Sequence, residues 1–161
     1  MSREATMFRI IEGHLNDQRV VDLLRTHLAS ARAETAPGSA HALDLTGLNS
    51  SDISFWTIWD GNLLVGTGAL KRLSADHGEV KSMHVAQAMR RKGAGSAILR
   101  HIIAVARARG MSRLSLETGS WEYFRPARTF YRSHGFAECP AFADYVPDSN
   151  SVFMMLDLRA S

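Results

Sequence analysis

Cysteine is almost missing from this chain of 161 residues, which contains only Cys139. One cysteine cannot form an internal disulfide, and it cannot supply a metal site made of several thiolates. Long apolar runs are also missing: no stretch approaches the roughly 20 residues that span a bilayer, and the first residues lack the basic start and apolar segment of a secretion signal. We therefore expect a soluble protein of the reducing cytoplasm with no membrane partner.

Positive charge is in only slight excess: the chain has 19 Lys and Arg residues and 16 Asp and Glu residues, which gives a net charge of +3. Seven of those basic residues lie between Lys81 and Arg109. A local cluster favours an anionic small ligand over a surface coated with nucleic acid. The seven histidines form no His-x-x-x-His pair within a helical pattern, so we expect no metal site.

Hydrophobic periodicity predicts one α/β domain over residues 1–161. Three alternating segments between residues 53 and 85 are joined by short turns, which predicts an antiparallel meander. A strand, a helix that ends at Gly110 and another strand then form a βαβ unit, whose two strands are normally parallel. In chain order the expected elements are a strand that ends at Gly13, a helix from Asn16 or Asp17 to near Glu34, a helical turn or ordered loop at 41–45, strands at 53–60, 63–73 and 79–85, a helix from 94, a strand at 113–118, a helix at 126–134, and strands near 136–142 and 151–158.

A basic, glycine-rich segment lies within Met83–Ser96, just before the helical pattern that ends at Gly110. Its backbone N–H groups can point outward beside the positive end of a helix dipole, which is typical of a phosphate or pyrophosphate site. A P-loop is excluded because Lys92 precedes Gly93, and a dinucleotide fingerprint lacks its third glycine and later acidic residue. In this segment three basic residues are followed by four small ones: Arg90, Arg91, Lys92, Gly93, Ala94, Gly95 and Ser96.

Two motifs together resemble the GCN5-related N-acetyltransferase (GNAT) superfamily. Arg90, Gly93 and Gly95 occupy the places of its pyrophosphate loop, and the run from Phe130 to Phe136, which reads Phe-Tyr-Arg-Ser-His-Gly-Phe, looks like its late helix. The resemblance covers roughly residues 6–158 in the order of elements and is most specific over 79–136. Three shorter runs, Glu79-Val-Lys-Ser-Met83, Leu116-Glu-Thr-Gly119 and Ser151-Val-Phe-Met154, look most like bacterial YsnE-type acetyltransferases, whose substrate is poorly defined.

The resemblance implies a GNAT-like fold with a mixed, mostly antiparallel sheet of about six to seven strands flanked by about four helices. It also implies acetyl-CoA as co-substrate, without a metal. The strand that ends at Val85 is expected to splay from its neighbour at a bulge, and the Val85 N–H is the expected donor to the thioester oxyanion. The expected CoA-binding residues are Met83, His84, Val85, Arg90, Arg91, Lys92, Gly93, Ala94, Gly95, Ser96 and Thr118.

Acid and base candidates follow from the same resemblance. Tyr131 stands where the superfamily often has its general acid, and a phenol is protonated at neutral pH and can donate to a departing thiolate. The alternative is a core tyrosine that packs beside Phe130. Glu79 is the candidate for a base that acts through water, with Glu117 as competitor, and either could instead bind substrate or a structural cation.

The acceptor is expected to be a small-molecule primary amine that attacks the thioester directly. His41 and Asp44 in the early loop, with Glu117 and Tyr145 later in the chain, are the candidate acceptor-binding residues, although a structural loop explains His41 and Asp44 equally well. Two other functions stay open: a non-catalytic module that binds or senses acyl-CoA, and a nucleic-acid-binding domain that uses the basic cluster, which we favour least. A homodimer is expected only at the level of the superfamily.

Overall fold

The computed structural model describes residues 8–37, 45–48, 50–86 and 93–159. Its strands form one seven-stranded sheet, in the order β1-β2-β3-β4-β5-β7-β6. The strands are β1 (Arg9–Glu12), β2 (Ile53–Asp60), β3 (Leu63–Ser74), β4 (His77–Val85), β5 (Arg113–Gly119), β6 (Ala137–Glu138) and β7 (Ser151–Asp157). The helices are α1 (Gln18–Ala33), α2 (Leu45–Leu48), α3 (Ala94–Ala108) and α4 (Arg125–Ser133), with a 3₁₀ turn at Glu122–Phe124 before α4.

The expected mixed α/β fold is confirmed. Neighbouring strands pair antiparallel throughout the sheet, except for β4 and β5, which are parallel. The parallel pair arises because α3 connects β4 to β5 as a crossover, so both strands run in one direction. Of the four helices, α1, α3 and α4 exceed two turns, whereas α2 has only four residues.

Helices cover the sheet on two sides. One side is an apolar layer in which α3 residues such as Ile98 and Ile102 pack with Leu70, Val80 and Leu114. On the opposite side α1 places Val20 and Leu24 against a second cluster that includes Phe55, Trp59 and Ala69. We call these the α3 face and the α1 face. Because side chains alternate along a strand, Lys71, Glu79 and Lys81 belong to the α1 face.

Two strand predictions need correction. The expected strand at 136–142 shrinks to Ala137–Glu138, because Pro140 has no N–H to continue the ladder, and pairing ends with the Cys139 N–H donating to the Phe153 carbonyl at 2.9 Å. The strand expected to begin at Glu79 begins at His77, where Ser74 and His77 close the hairpin. His77 therefore lies in the sheet, and its Nε2 is 2.7 Å from Ser115 Oγ.

The aromatic side chains of β2 belong to the core. Phe55, Trp56 and Trp59 are all at most 4% exposed. Trp59 donates its indole N–H to Thr57 Oγ1 at 2.8 Å, and the Trp56 ring makes an edge contact with His101 at 5.1 Å between centroids. Within the described ranges no helix is long and apolar enough to cross a membrane.

Buried histidines predict that acid destabilises the fold. Burial lowers the pKa of His27, His77 and His101 below the ordinary value of 6.5, so each stays neutral in the folded chain and takes up a proton on unfolding. The free energy of unfolding should therefore fall as the pH drops from 7 to 5. Urea unfolding at several pH values measures this change. His101→Leu should reduce the slope. Equal stability at pH 5 and 7 would contradict the prediction.

Candidate active site

The parallel strands β4 and β5 separate soon after they pair. Their pairing covers only His77–Glu79 against Arg113–Ser115. Beyond Glu79, β4 carries a bulge: Thr67 pairs with His84 and Ala69 pairs with Lys81, so two β4 residues face Gly68 alone. The bulge leaves a gap in the sheet between the ends of the two strands.

Ser82 forms the bulge, and its backbone has a positive φ of 54°. The Thr67 hydroxyl donates to the Ser82 carbonyl at 2.8 Å and holds this conformation. Gly68 lies opposite because a Cβ there would come within 2.9 Å of side-chain carbons of Ile98 and Ile102. The close approach of α3 to the sheet at this point therefore requires glycine.

The end of β4 presents backbone groups to the gap. The Ala86 N–H donates to the Val65 carbonyl at 2.9 Å. Since hydrogen-bonding groups alternate in direction along a strand, the preceding N–H of Val85 faces away from β3, toward the side of β5. The gap thus has a backbone donor, the Val85 N–H, on its β4 side.

Helix α3 begins beside this strand end. Gly93 adopts a φ of 87° just before the helix, and no side chain caps the first turn. A Cβ built on Gly95 would lie 3.5 Å from Val85 Cγ2 and 3.4 Å from Phe130 Cζ, so the first turn of α3 lies against the end of β4. Uncapped N–H groups at a helix start bind anions well. The expected pyrophosphate cations Arg90, Arg91 and Lys92 lie outside the described residues.

A cavity of about 140 Å³ passes through the gap and reaches both faces of the sheet. Its walls come from α1 on one face, from the ends of β4 and β5 in the middle, and from the 3₁₀ turn and α4 on the α3 face. The lining residues are His27, Ala31, Thr35, Glu79, Val80, Lys81, Ser82, Met83, Glu117, Thr118, Gly119, Phe124, Ala127 and Tyr131.

A buried polar cluster stands at the α1-face side of this cavity. The Glu79 and Lys81 side chains are 3% and 9% exposed, and Lys81 Nζ lies 3.1 Å from Glu79 Oε2. Tyr145 donates its hydroxyl to the same oxygen at 2.5 Å and accepts from Lys81 Nζ at 3.0 Å. Both contacts use Oε2, so the other carboxylate oxygen makes no hydrogen bond within the described part of the chain. Burial and the Glu79 carboxylate raise the pKa of Tyr145, which keeps this hydroxyl protonated.

Tyr131 stands on the opposite side of the gap, in α4. It is 8% exposed, and its ring contacts Phe130 and Phe136 at centroid distances of 5.3 and 5.7 Å. Burial raises the pKa of its hydroxyl, so the group carries its proton at neutral pH. No residue in the described ranges accepts a hydrogen bond from this hydroxyl, although the side chain lines the cavity. Tyr131 is therefore a core residue with a protonated hydroxyl, and its side chain lines the gap.

A second, wider cavity of about 710 Å³ lies on the α1 face and shares Glu79 and Lys81 with the first. Its outer wall is the loop between β6 and β7. The other lining residues are Lys71, Leu73, Ala143, Asp144, Tyr145, Val146, Pro147, Asp148 and Ser149. Glu79 and Lys81 therefore form a common wall between this cavity, which is open to solvent, and the gap in the sheet.

The structure brings most of the predicted residues together. Met83, Glu79, Glu117, Thr118 and Tyr131 line one cavity, and Tyr145 joins it through Glu79. The His84 ring stacks on His27, with 4.7 Å between centroids. The acceptor candidates His41 and Asp44 lie outside the described residues.

Nine of the lining residues were missed from the sequence, among them the polar residues His27, Thr35 and Lys81. A spacing of four residues separates His27, Ala31 and Thr35, which is the signal of one helical face. That signal was readable, but the polar face of an amphipathic helix is normally exposed to solvent. Lys81 follows Glu79 by two residues, which places both on one face of a strand, but its burial could not be read from that spacing.

Comparisons with known proteins agree on one family. The sequence profile of the acetyltransferase (GNAT) family matches residues 21–136. The chain is 49% identical over 140 residues to the uncharacterized N-acetyltransferase YsnE of Bacillus subtilis (strain 168), which covers 87% of this chain and 93% of YsnE.

Solved structures share the fold. A proposed acyl-CoA N-acyltransferase from Klebsiella pneumoniae superposes with a TM-score of 0.79 at 28% identity and covers 95% of this chain and 99% of that one. A Bacillus subtilis acetyltransferase solved in complex with CoA superposes with a TM-score of 0.70 at 19% identity and covers 94% of this chain and 99% of that one. The second likeness shows the fold alone.

The buried ion pair predicts a stability test. Lys81→Met leaves the Glu79 carboxylate buried without its ammonium partner, which should lower the free energy of unfolding by about 3 kcal/mol. The double variant Glu79→Gln with Lys81→Met removes both charges and should recover much of that loss. Urea denaturation of the three proteins measures the difference. A loss below about 1 kcal/mol in the single variant would mean that the pair contributes little.

Proposed function

This chain belongs to the acetyltransferase (GNAT) family, and we propose that it moves the acetyl group of acetyl-CoA to the primary amine of a small molecule by direct attack. One observation carries the proposal: the cavity through the sheet has a protonated tyrosine on one face and a carboxylate pair on the other. A thioester held in the gap would have its sulfur toward Tyr131 and its carbonyl carbon open to an amine from the side of Glu79 and Glu117.

The CoA part of the proposal rests on the two ends of the gap. The first turn of α3, from Ala94 to Ser96, offers uncapped N–H groups for the pyrophosphate, and we assign the charges of Arg90, Arg91 and Lys92 to the same group. Met83, His84 and Val85 on β4 and Thr118 on β5 would flank the pantetheine arm, because both strands leave backbone groups unused where they separate. The CoA-bound neighbour of the same fold supports this choice of co-substrate.

In the proposed reaction, residues at the gap donate and accept the protons that must move. The amine nitrogen attacks the thioester carbon, and the Val85 N–H donates a hydrogen bond to the carbonyl oxygen as negative charge develops on it. One such donor contributes on the order of 3 kcal/mol to stabilising the transition state. The C–S bond then breaks, the thiolate takes the phenol proton of Tyr131, and the amide nitrogen loses its extra proton to a carboxylate. Cys139 has no part in this scheme, so no acetyl-enzyme intermediate forms.

An acceptor ammonium must lose a proton before it attacks, since its pKa is near 10.4. We assign this step to Glu79, acting through a water at its unbridged oxygen. Lys81 and Tyr145 fix the carboxylate by bonding the other oxygen. Glu117 lines the same cavity and is kept as the competing base. Glu117 is half-buried in the same cavity wall.

The acceptor is proposed to enter through the second cavity, whose wall at Glu79 and Lys81 adjoins the gap. Tyr145 stands between the two spaces, and we assign the early-loop residues His41 and Asp44 to the same entrance. The alternative function is a module that binds or senses acyl-CoA without transfer.

A screen of primary amines tests the function. The protein is mixed with acetyl-CoA and pools of amino acids, polyamines, aminoglycosides and aryl amines, and the release of free thiol and the mass of the product are measured. Tyr131→Phe should keep CoA affinity and lower kcat roughly 100-fold, because the ring stays and only the proton donor is lost. Intact CoA binding without transfer to any amine would favour the sensing module, and an unchanged kcat in Tyr131→Phe would remove that tyrosine from the mechanism.

The pH dependence of two carboxamide variants separates the bases. The variant that lacks the true base, Glu79→Gln or Glu117→Gln, should lose activity most at low pH and regain it as the pH approaches the pKa of the amine. Because Glu79→Gln leaves Lys81 without its ion-pair carboxylate, Glu79→Gln with Lys81→Met serves as the control for folding. If neither variant loses activity at low pH, both assignments are wrong.

A further inference from the structure

Thr35 has a buried hydroxyl without a hydrogen-bond partner among the described residues. The residue follows the end of α1 and is 7% exposed, and its Oγ1 makes no hydrogen bond with the part of the chain that the structure describes. A buried hydroxyl that has lost water and gained no partner costs free energy, so native chains rarely keep one without a reason. Thr35 lines the cavity that passes through the sheet, which gives the hydroxyl access to a ligand.

The surroundings of this hydroxyl are rich in acceptors. Thr35 shares the cavity with Glu79 and Lys81 on β4 and Glu117 on β5. Lys81 forms an ion pair with Glu79, so the second carboxylate, on Glu117, leaves this half of the cavity with an excess of negative charge beside the hydroxyl. His27 lies two turns earlier on the same face of α1, and burial lowers its pKa, so it stays neutral at pH 7. A ligand group that suits this wall brings several N–H donors and positive charge, and a primary ammonium has three such donors.

We infer that Thr35 is a substrate-binding residue whose hydroxyl accepts one N–H of the acceptor's primary ammonium, while Glu117 accepts a second and Glu79 accepts the third through the water at its unbridged oxygen. The inference rests on the proposed function and adds a specificity to it: this half of the cavity selects primary amines over methylated amines. Each methyl group removes one donor and leaves one of the three acceptors unsatisfied, and unsatisfied buried acceptors give strong discrimination.

Two variants distinguish the effect of the hydroxyl from the effect of side-chain shape. Thr35→Val replaces the hydroxyl by a methyl group, and Thr35→Ser keeps the hydroxyl. With the best amine from the screen, Thr35→Val should raise the KM of the amine roughly tenfold or more, because a hydrogen bond to a charged group is lost. Thr35→Ser should stay within about threefold, and the KM of acetyl-CoA should not change in either variant.

Thr35→Val should weaken binding of the amine without lowering the stability of the protein. Without ligand, Thr35→Val should have a Tm equal to or above that of the native protein, because no hydroxyl is left buried without a partner. A KM for the amine that is unchanged in Thr35→Val, or raised equally in Thr35→Val and Thr35→Ser, would overturn the inference.

A binding measurement tests the inference independently of the proposed acetyl transfer. Propylammonium, N-methylpropylammonium and tetramethylammonium are titrated to about 50 mM while the Tm of the native protein is followed. Propylammonium should raise the Tm most, tetramethylammonium should not raise it, and Thr35→Val should abolish the difference. Equal responses to all three ions, or no response to propylammonium, would overturn the inference even if acetyl transfer were found. Absence of transfer with this selective response would overturn the proposed function and leave the ammonium subsite standing.

Discussion

The early separation of β4 from β5 is the constraint on which the rest of the site depends. A parallel pair buried between helices normally continues its ladder, since an unpaired backbone group in a protein interior costs free energy. Here the ladder stops after Glu79 and Ser115, and the bulge at Ser82 turns β4 away. The freed backbone groups are stable only if a ligand or water bonds them. A gap of this kind suits an extended molecule that carries amide groups of its own.

The gap also explains why charged side chains are buried in a sheet of this size. On the α1 face, the apolar cluster under α1 ends at Ala69, and the next positions on that face are Lys71 and its cross-strand partner Glu79. A buried ion pair such as Glu79 with Lys81 is weak evidence for stability, because desolvation offsets the attraction. Tyr145 adds a hydroxyl that bonds both members. The cluster therefore fits a site that must hold a carboxylate at a fixed place more readily than it fits a structural core.

Much of the fold was predictable because it depends on local signals. The alternation within 53–60 and 113–118, the turn at Gly61 and the helical face through Ile98 and Ile102 each specified an element, and the two motifs at Gly93 and Tyr131 specified the family, which the comparisons confirmed. The contacts between distant segments were less accessible. Tyr145 lies 66 residues from Glu79, and nothing local to either residue indicates their bond. Thr35 was missed for a related reason. What marks it as a candidate is that its hydroxyl lacks a hydrogen-bond partner among the described residues, and a sequence does not show this.

The position of the proposed acid and bases on opposite faces restricts the acceptor. Tyr131 reaches the gap from the α3 face, whereas Glu79 and Glu117 reach it from the α1 face. A thioester held between the strands would have its sulfur near Tyr131 on one face, and a proton acceptor for the amine would lie on the other face. The passage has only about 140 Å³, whereas the space outside it has about 710 Å³. If the acceptor enters as proposed, a slender alkylamine fits that passage better than an amine on a bulky ring.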